Sequence, residues 1–218
     1  MIYYADMNEF AERKHRANII LLELKKLFPK PTIALRYHTE WELLVAVILS
    51  AQCTDKKVNE VTARLFKQYP TVQSYARTTP AILAEHVRQV GLYKTKAKHI
   101  VATAQMILRD HRGIVPNNLA ELTKLPGVGR KTANVVLGAL HGIADGIAVD
   151  THVARLARKF GLTAHHDPRK IEQDLTEVIP QKEWIDFTHR LILYGRQYSP
   201  ARKREDTSDP ISRALDSE

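Results

Sequence analysis

Cysteine is almost missing from this chain, which carries one in 218 residues. A single thiol excludes a disulfide framework, a zinc site made of thiolates alone and an iron–sulfur cluster, since each takes several cysteines. The fold must stand on packing. Long apolar runs are missing too. The longest, Leu43 to Leu49, is far short of the ~20 residues that span a bilayer, and the polar, mixed-charge start has no secretory apolar stretch. No membrane partner is expected, and the sequence reads as soluble and cytoplasmic. Alternation long enough to make a strand is hardly found, so the chain reads as all-α. Acidic residues are the scarcer charge: 24 Asp+Glu against 33 Lys+Arg leave a net charge of +9, an excess that calls for a polyanionic partner. Apolar residues make up 44% and charged residues 26%, the composition of a globular protein rather than a disordered one. The length fits one large or two small domains.

Helical periodicity with frequent stops organises the chain. A first helix is expected from about Met7 to Leu27, with Ile20, Leu21, Leu24, Leu27 and Phe28 on one face and Pro29 and Pro31 closing it. Glu42 to Ala51 is apolar all round, which marks a helix buried on every side. Asp55, itself a natural N-cap, heads an amphipathic stretch to Tyr69; Thr79 and Pro80 open another that Gly91 stops. A long helix follows from about Thr95 to Arg112. Asn118 and Glu121 then read as a capping box for a short helix ending near Lys124. Further helices are expected over Arg130 to Leu140, over Val153 to Phe160, after Asp167-Pro168, and over Trp184 to Tyr194. Beyond Ser199 the tail is polar, and no ordered structure is expected there.

Leu125 to Lys131 reads Leu-Pro-Gly-Val-Gly-Arg-Lys, a glycine-dependent turn between two helices. Paired glycines before a helix leave backbone N–H groups that can bind a phosphate oxygen. Two nucleotide motifs fail here. A Walker A loop does not tolerate Arg130 between Gly129 and Lys131, and a Rossmann fingerprint needs a preceding strand and a small residue where Thr132 stands. A plain inter-helix turn remains possible for Gly-Val-Gly alone; the overall charge and the adjacent Arg130-Lys131-Thr132 favour a grip on a duplex backbone.

Leu-Pro-Gly-Val-Gly-Arg-Lys-Thr-Ala-Asn at 125–134 followed by Ala-Val-Asp-Thr-His at 148–152 resembles the endonuclease III family of helix-hairpin-helix DNA glycosylases. Leu-Ser-Ala-Gln-Cys-Thr-Asp at 49–55, Gly-Leu-Tyr-Lys-Thr-Lys-Ala at 91–97 and Leu-Ile-Leu-Tyr-Gly-Arg at 191–196 resemble it too, in the right order. The resemblance implies an all-α, two-domain fold: a six-helix domain over 33–143, a second helical domain from 1–32 and 144–218, and a DNA-binding cleft between them. It implies a base-excision glycosylase with abasic-site lyase activity that removes oxidised pyrimidines and works as a monomer on double-stranded DNA carrying damaged bases or abasic sites.

Lys131 and Asp150 fall at the positions of the family's catalytic pair. An amine attacks the sugar C1′ only when unprotonated, and a helix N-terminus, the neighbouring Arg130 and partial burial would each favour that form. Asp150 can stabilise a cationic sugar and move protons, and the same residue reads as an N-cap. In the related adenine-excising and thymine-mismatch glycosylases the lysine position is typically another residue, so Lys131 favours lyase activity. By the same resemblance Gln52 and Leu92 are the wedge and plug that fill the gap left by a flipped base. Gly127, Val128, Gly129, Arg130 and Thr132 form the phosphate grip, and His152 lines the pocket. Basic clusters at Lys94, Lys96 and Lys98, at Arg155, Arg158 and Lys159, and at Arg202, Lys203 and Arg204 are each a solvated face alone and together a backbone track. A non-catalytic DNA-binding relative, or a glycosylase for pyrimidine dimers or mismatched bases, stays open as an alternative.

The chain departs from the family at its end. Most members hold a [4Fe–4S] cluster there on four cysteines with six, two and five residues between them. Aligned on Tyr194-Gly195-Arg196, the four positions carry Ser199, Asp206, Asp209 and Leu215. No cluster, and no other metal or cofactor, is expected; Cys53 lies far away in sequence and reads as a small buried residue.

Overall fold

A computed structural model describes residues 2–203 and 206–217, and within these the side chains from residue 8 onward except that of Lys203. In chain order the helices are α1 (Ile2–Leu27), α2 (Glu40–Ser50), α3 (Asp55–Gln68), α4 (Val72–Arg77), α5 (Pro80–His86), α6 (Tyr93–His111), α7 (Leu119–Leu122), α8 (Arg130–His141), α9 (Thr151–Lys159), α10 (Pro168–Val178), α11 (Trp184–Gln197) and α12 (Pro210–Asp216). Among the described residues there is no strand. The chain folds as two units, one made of Met1–Ile33 with Ala144–Glu218 and the other of Ala34–Ile143.

In the unit Ala34–Ile143 the centre is α2. Thr39 caps it by accepting from the Glu42 N–H, and every residue from Trp41 to Leu49 is buried. Apolar side chains on all sides have to be covered on all sides, and α3, α6 and α8 do so. The long helix α6 takes α4 and α5 against it. Several ends differ from the sequence reading. Thr54, not Asp55, caps α3, its hydroxyl accepting from the Lys57 N–H at 3.3 Å; Asp55 sits one place on, where its charge suits the positive helix end. Helix α5 stops at His86 rather than Gly91, because the next turns bury Val87 and Val90 instead. Only half of the capping box at Asn118 forms, since Glu121 turns its carboxylate to Lys124 at 2.6 Å. Helix α4, six residues long, is too short to show a period; its Thr71–Ser74 capping box was its only signal.

In the other unit the apolar stripe of α1, Ala17, Ile20, Leu21 and Leu24, joins Leu156, Phe160, Leu175, Phe187, Leu191 and Tyr194 in one core. The tail corrects the expectation that nothing beyond Ser199 is ordered. Asp209 caps α12 with Pro210 at its first position, and Ile211 is fully buried in that core while α12 packs on α1. One apolar residue in the first turn and a good cap outweigh a polar composition. Arg190 holds α11 to the end of α1: its guanidinium donates to the Phe28 carbonyl at 3.0 Å and pairs with Glu183 at 3.3 Å and Asp186 at 2.9 Å. Glu183 also takes Lys25 at 2.7 Å.

Burial alone would raise the Glu183 carboxyl, but Lys25 and Arg190 outweigh it and hold it below its usual range. A depressed carboxyl stabilises the fold above its unfolded pKa of about 4.3, and that stabilisation is lost as pH falls through the lower folded value. Glu183→Gln is therefore expected to cost on the order of 1 kcal/mol at neutral pH, with the gap to wild type closing in acid. Urea unfolding from pH 7 to pH 3 measures it; a gap that stays constant over that range contradicts the assignment.

Candidate functional site

The hairpin before α8 is pinned from below and open above. Leu125 and Val128 are buried, and the Thr103 hydroxyl donates to the Pro126 carbonyl at 2.9 Å. Gly127 is left-handed, with φ at +78°, and a β-carbon there would stand 2.6 Å from the His99 ring. Only glycine fits that conformation and that space. Gly129 differs: its φ is −86° and nothing lies within 4 Å of where a β-carbon would go. As the N-cap of α8 it brings no side-chain acceptor to the first turn, so the positive end of the helix is presented without a cap of its own. The Val128 N–H is spent inside the turn, donating to Leu125 at 3.0 Å. Its side chain is buried as well, so Val128 shapes the grip without offering a donor to it.

Arg130 and Lys131 are the first two residues of α8, and both are exposed; Thr132 behind them is half-buried. The partial burial expected for Lys131 is thus not found.

Gln52 and Leu92 share an unusual feature. Both are left-handed, with φ at +54° and +56°, a conformation that a residue with a β-carbon adopts at a cost. Both are exposed, Leu92 by 58%, so Leu92 is no core leucine. Their turns are neighbours, since a β-carbon on Gly91 would lie 3.4 Å from the Gln52 carbonyl. Lys96 braces the pair. It is 4% exposed, and its ammonium donates to the carbonyls of Leu49 at 2.8 Å and Ala51 at 2.5 Å, tying α6 to the end of α2 just before Gln52. Burial pushes its ammonium below the ordinary lysine value, with Cys53 pulling the other way. Read as one of three solvated lysines, Lys96 was missed. The signal was its register: it precedes Ala97 and lies four residues before Ile100 on the buried face of α6. Lys94 and Lys98 are exposed as expected.

In the other unit Asp150 is the N-cap of α9, one carboxylate oxygen accepting from the Val153 N–H at 2.8 Å. Asp150 is half-buried, so the cap fixes a carboxylate that solvent still reaches. His152 lies against Gly195 of α11, where a β-carbon would come within 2.5 Å of its ring nitrogen. Burial pushes the His152 imidazole below its ordinary value; Asp150 opposes this, and Arg196 and Arg155 add to it. His152 is thus a neutral donor or acceptor near neutral pH.

Two basic clusters resolve unevenly. Arg155 and Lys159 do not form a solvated face, because both turn inward to the C-terminal tail; Arg158 bonds His166 at 3.0 Å. Arg202 is exposed, whereas the side chain of Lys203 and all of Arg204 lie outside the described residues. Cys53 is half-buried rather than buried. Among the described residues no helix is long and apolar enough to cross a membrane.

Residues 45–181 match the family model of the HhH-GPD superfamily of base excision DNA repair proteins. An endonuclease III of Synechocystis is 46% identical over 197 residues, 90% of each chain. That of Escherichia coli K12 is 41% identical over 192 residues, covering 84% of this chain and 87% of its own. The solved structure of a trapped endonuclease III–DNA covalent intermediate superposes with a TM-score of 0.87 at 40% identity, covering 91% of this chain and 93% of that one.

The two hairpin glycines are expected to separate by substitution. Gly127→Ala forces a left-handed alanine into the His99 ring and should cost about 1–3 kcal/mol. Gly129→Ala should fold with a loss within about 1 kcal/mol, the small difference between these residues at an N-cap. Chemical denaturation of both variants checks this, and equal losses would contradict it.

Proposed function

Because the chain belongs to the endonuclease III family, within the HhH-GPD superfamily of base excision DNA repair proteins, we infer that Lys131 and Asp150 are its catalytic groups and oxidised pyrimidines in duplex DNA its substrates. The protein is a base-excision DNA glycosylase with lyase activity. The observation that carries the residue assignment is Lys131 itself: an exposed amine at the second position of α8, directly behind an uncapped glycine helix start. Phosphate held by the N–H groups of that start puts the neighbouring sugar beside the amine.

Lys131 in its neutral form attacks C1′; the C1′–N bond to the damaged base breaks, and the base leaves with a proton. Opening of the sugar ring gives a protonated Schiff base on Lys131. That cation acidifies the C2′ proton, whose removal expels the 3′ phosphate by β-elimination; water then releases the lysine. Asp150 answers two needs of this sequence, a negative charge opposite the oxocarbenium-like sugar and a proton acceptor. Its hydrogen bond to Val153 keeps the carboxylate in one orientation. Gln52 and Leu92, raised on strained exposed turns, suit the filling of the space a flipped base leaves. Gly127, Gly129, Arg130 and Thr132 serve the backbone grip, and Arg202 adds an exposed cation; His152, neutral, offers a hydrogen bond. The reading assigns the work to a single chain. The non-catalytic alternative leaves the joint presence of Lys131 and Asp150 without a purpose.

Base release and strand scission on duplexes carrying an oxidised pyrimidine, an abasic site, a mismatch or no lesion test this. Wild type is expected to release the oxidised pyrimidine and nick both damaged duplexes. Lys131→Ala should abolish scission, and Asp150→Asn should slow it by about 10²–10⁴-fold. Scission that survives in Lys131→Ala removes the lysine from its role, and release of only mismatched bases replaces the substrate. In duplex-binding titrations over a salt series, Arg202→Ala should lower the slope of log affinity against log salt by about one.

A further inference from the structure

The ammonium of Lys159 has three N–H donors, and three acceptors meet it: Ser199 Oγ at 3.2 Å, the Asp206 carbonyl at 2.5 Å and Asp209 Oδ2 at 2.6 Å. The Asp209 carboxylate is as fully engaged. Its Oδ1 accepts from the Tyr194 hydroxyl and from the Ser212 N–H at 3.0 Å, and its Oδ2 accepts from the Ser212 hydroxyl at 2.8 Å beside Lys159. The Tyr194 oxygen in turn accepts from the Ile211 N–H at 2.9 Å, and Arg155 donates to the carbonyl and hydroxyl of Ser199. The side chains of Lys159 and Asp209 are only 11% and 3% exposed. Neither charge could be buried without the other, and complete pairing makes such a network rigid rather than costly. Burial alone would raise the Asp209 carboxyl; donation from Lys159, Tyr194 and Ser212 holds it below its usual range instead.

Ser199, Asp206, Asp209 and Leu215 are the positions that align with the family's four cluster ligands. Their chemistry does not fit an iron–sulfur cluster. None supplies a thiolate, Leu215 packs its hydrocarbon against the apolar core, and a lysine cation stands among the other three.

We propose that the Lys159–Asp209 pair is a metal-free staple: it ties Ser199, Asp206 and Asp209 to α9, holds the cap of α12, and so orders that helix without a cluster. Asp150 caps α9, so the staple fastens the tail to the helix that holds this carboxylate in place, with the exposed Arg202 between the tied ends. The inference rests on folding and not on the catalytic assignment, and its readouts are those of folding.

The full-length protein, produced in iron-replete cells, is the material for the test. Wild type should contain far less than one iron per chain by mass spectrometry and should unfold at the same temperature with and without a strong chelator. Hydrogen exchange at the Ile211 and Ser212 amides should speed up at least about tenfold in Lys159→Met, which strands the carboxylate, while the core amide of Leu156 changes by less than about threefold. Asp209→Asn keeps the side-chain oxygen of the cap and removes the charge; it should show the same selective loss and keeps the test open if the methionine variant does not fold. Iron at one per chain or more, up to the four of a [4Fe–4S] cluster, a chelator-dependent melting temperature, or unchanged exchange in Asp209→Asn would each overturn the proposal.

Discussion

Every helix end leaves backbone N–H or C=O groups that something must satisfy, and in a chain of helices without cross-links this constraint falls on side chains. Asp150 and Asp209 meet it as N-caps of α9 and α12. Lys96 meets it at the far end of α2 by taking two carbonyls with one ammonium. The start of α8 is met by no side chain, like those of α6 and α11, and it alone of the three begins at a glycine. Lys131 stands at that glycine start. A capped start and an open one are thus two outcomes of one physical property, the partial charge at a helix end.

The same view divides the charge of +9 into two kinds. Lys96, Arg155, Lys159 and Arg190 are inward cations, each answering carbonyls or carboxylates of its own unit. Lys94, Lys98, Arg130, Lys131 and Arg202 are among those that face solvent, where a polyanion can reach them. A count of basic residues therefore overstates the field offered to DNA. The structural cations are the more constrained, because the loss of one partner strands the other in a dry place.

Much of this was legible in the residues. Helix α2 announced itself by having no polar face, α5 and α10 by proline at the first position behind a capping residue, and the hairpin by paired glycines, of which Gly127 sits where only glycine serves. These are local signals, written within one turn of where they act. Lys96 and Lys159 stayed hidden because a lysine's sequence neighbours do not say which carbonyl it will find. The partners of Lys159 lie 40 to 50 residues further along. Helix α12 has the same Asp-Pro start as α10, but its polar composition hid it, and the distant Tyr194 and Lys159 that brace its cap are not written nearby. The strained conformations of Gln52 and Leu92 left no trace either, since residues of both types are ordinary in helices and the strain comes from the turns they occupy.

The central claim is that a lysine at an open helix start does the covalent chemistry, and the most direct measurement locates the covalent bond. Wild-type protein is incubated with an abasic-site duplex in the presence of borohydride, the reduced adduct is digested, and the modified peptide is sequenced by mass spectrometry. The account predicts a single deoxyribose-derived mass on Lys131. An adduct on another lysine or on the N-terminal amine, or no adduct at all, would contradict it.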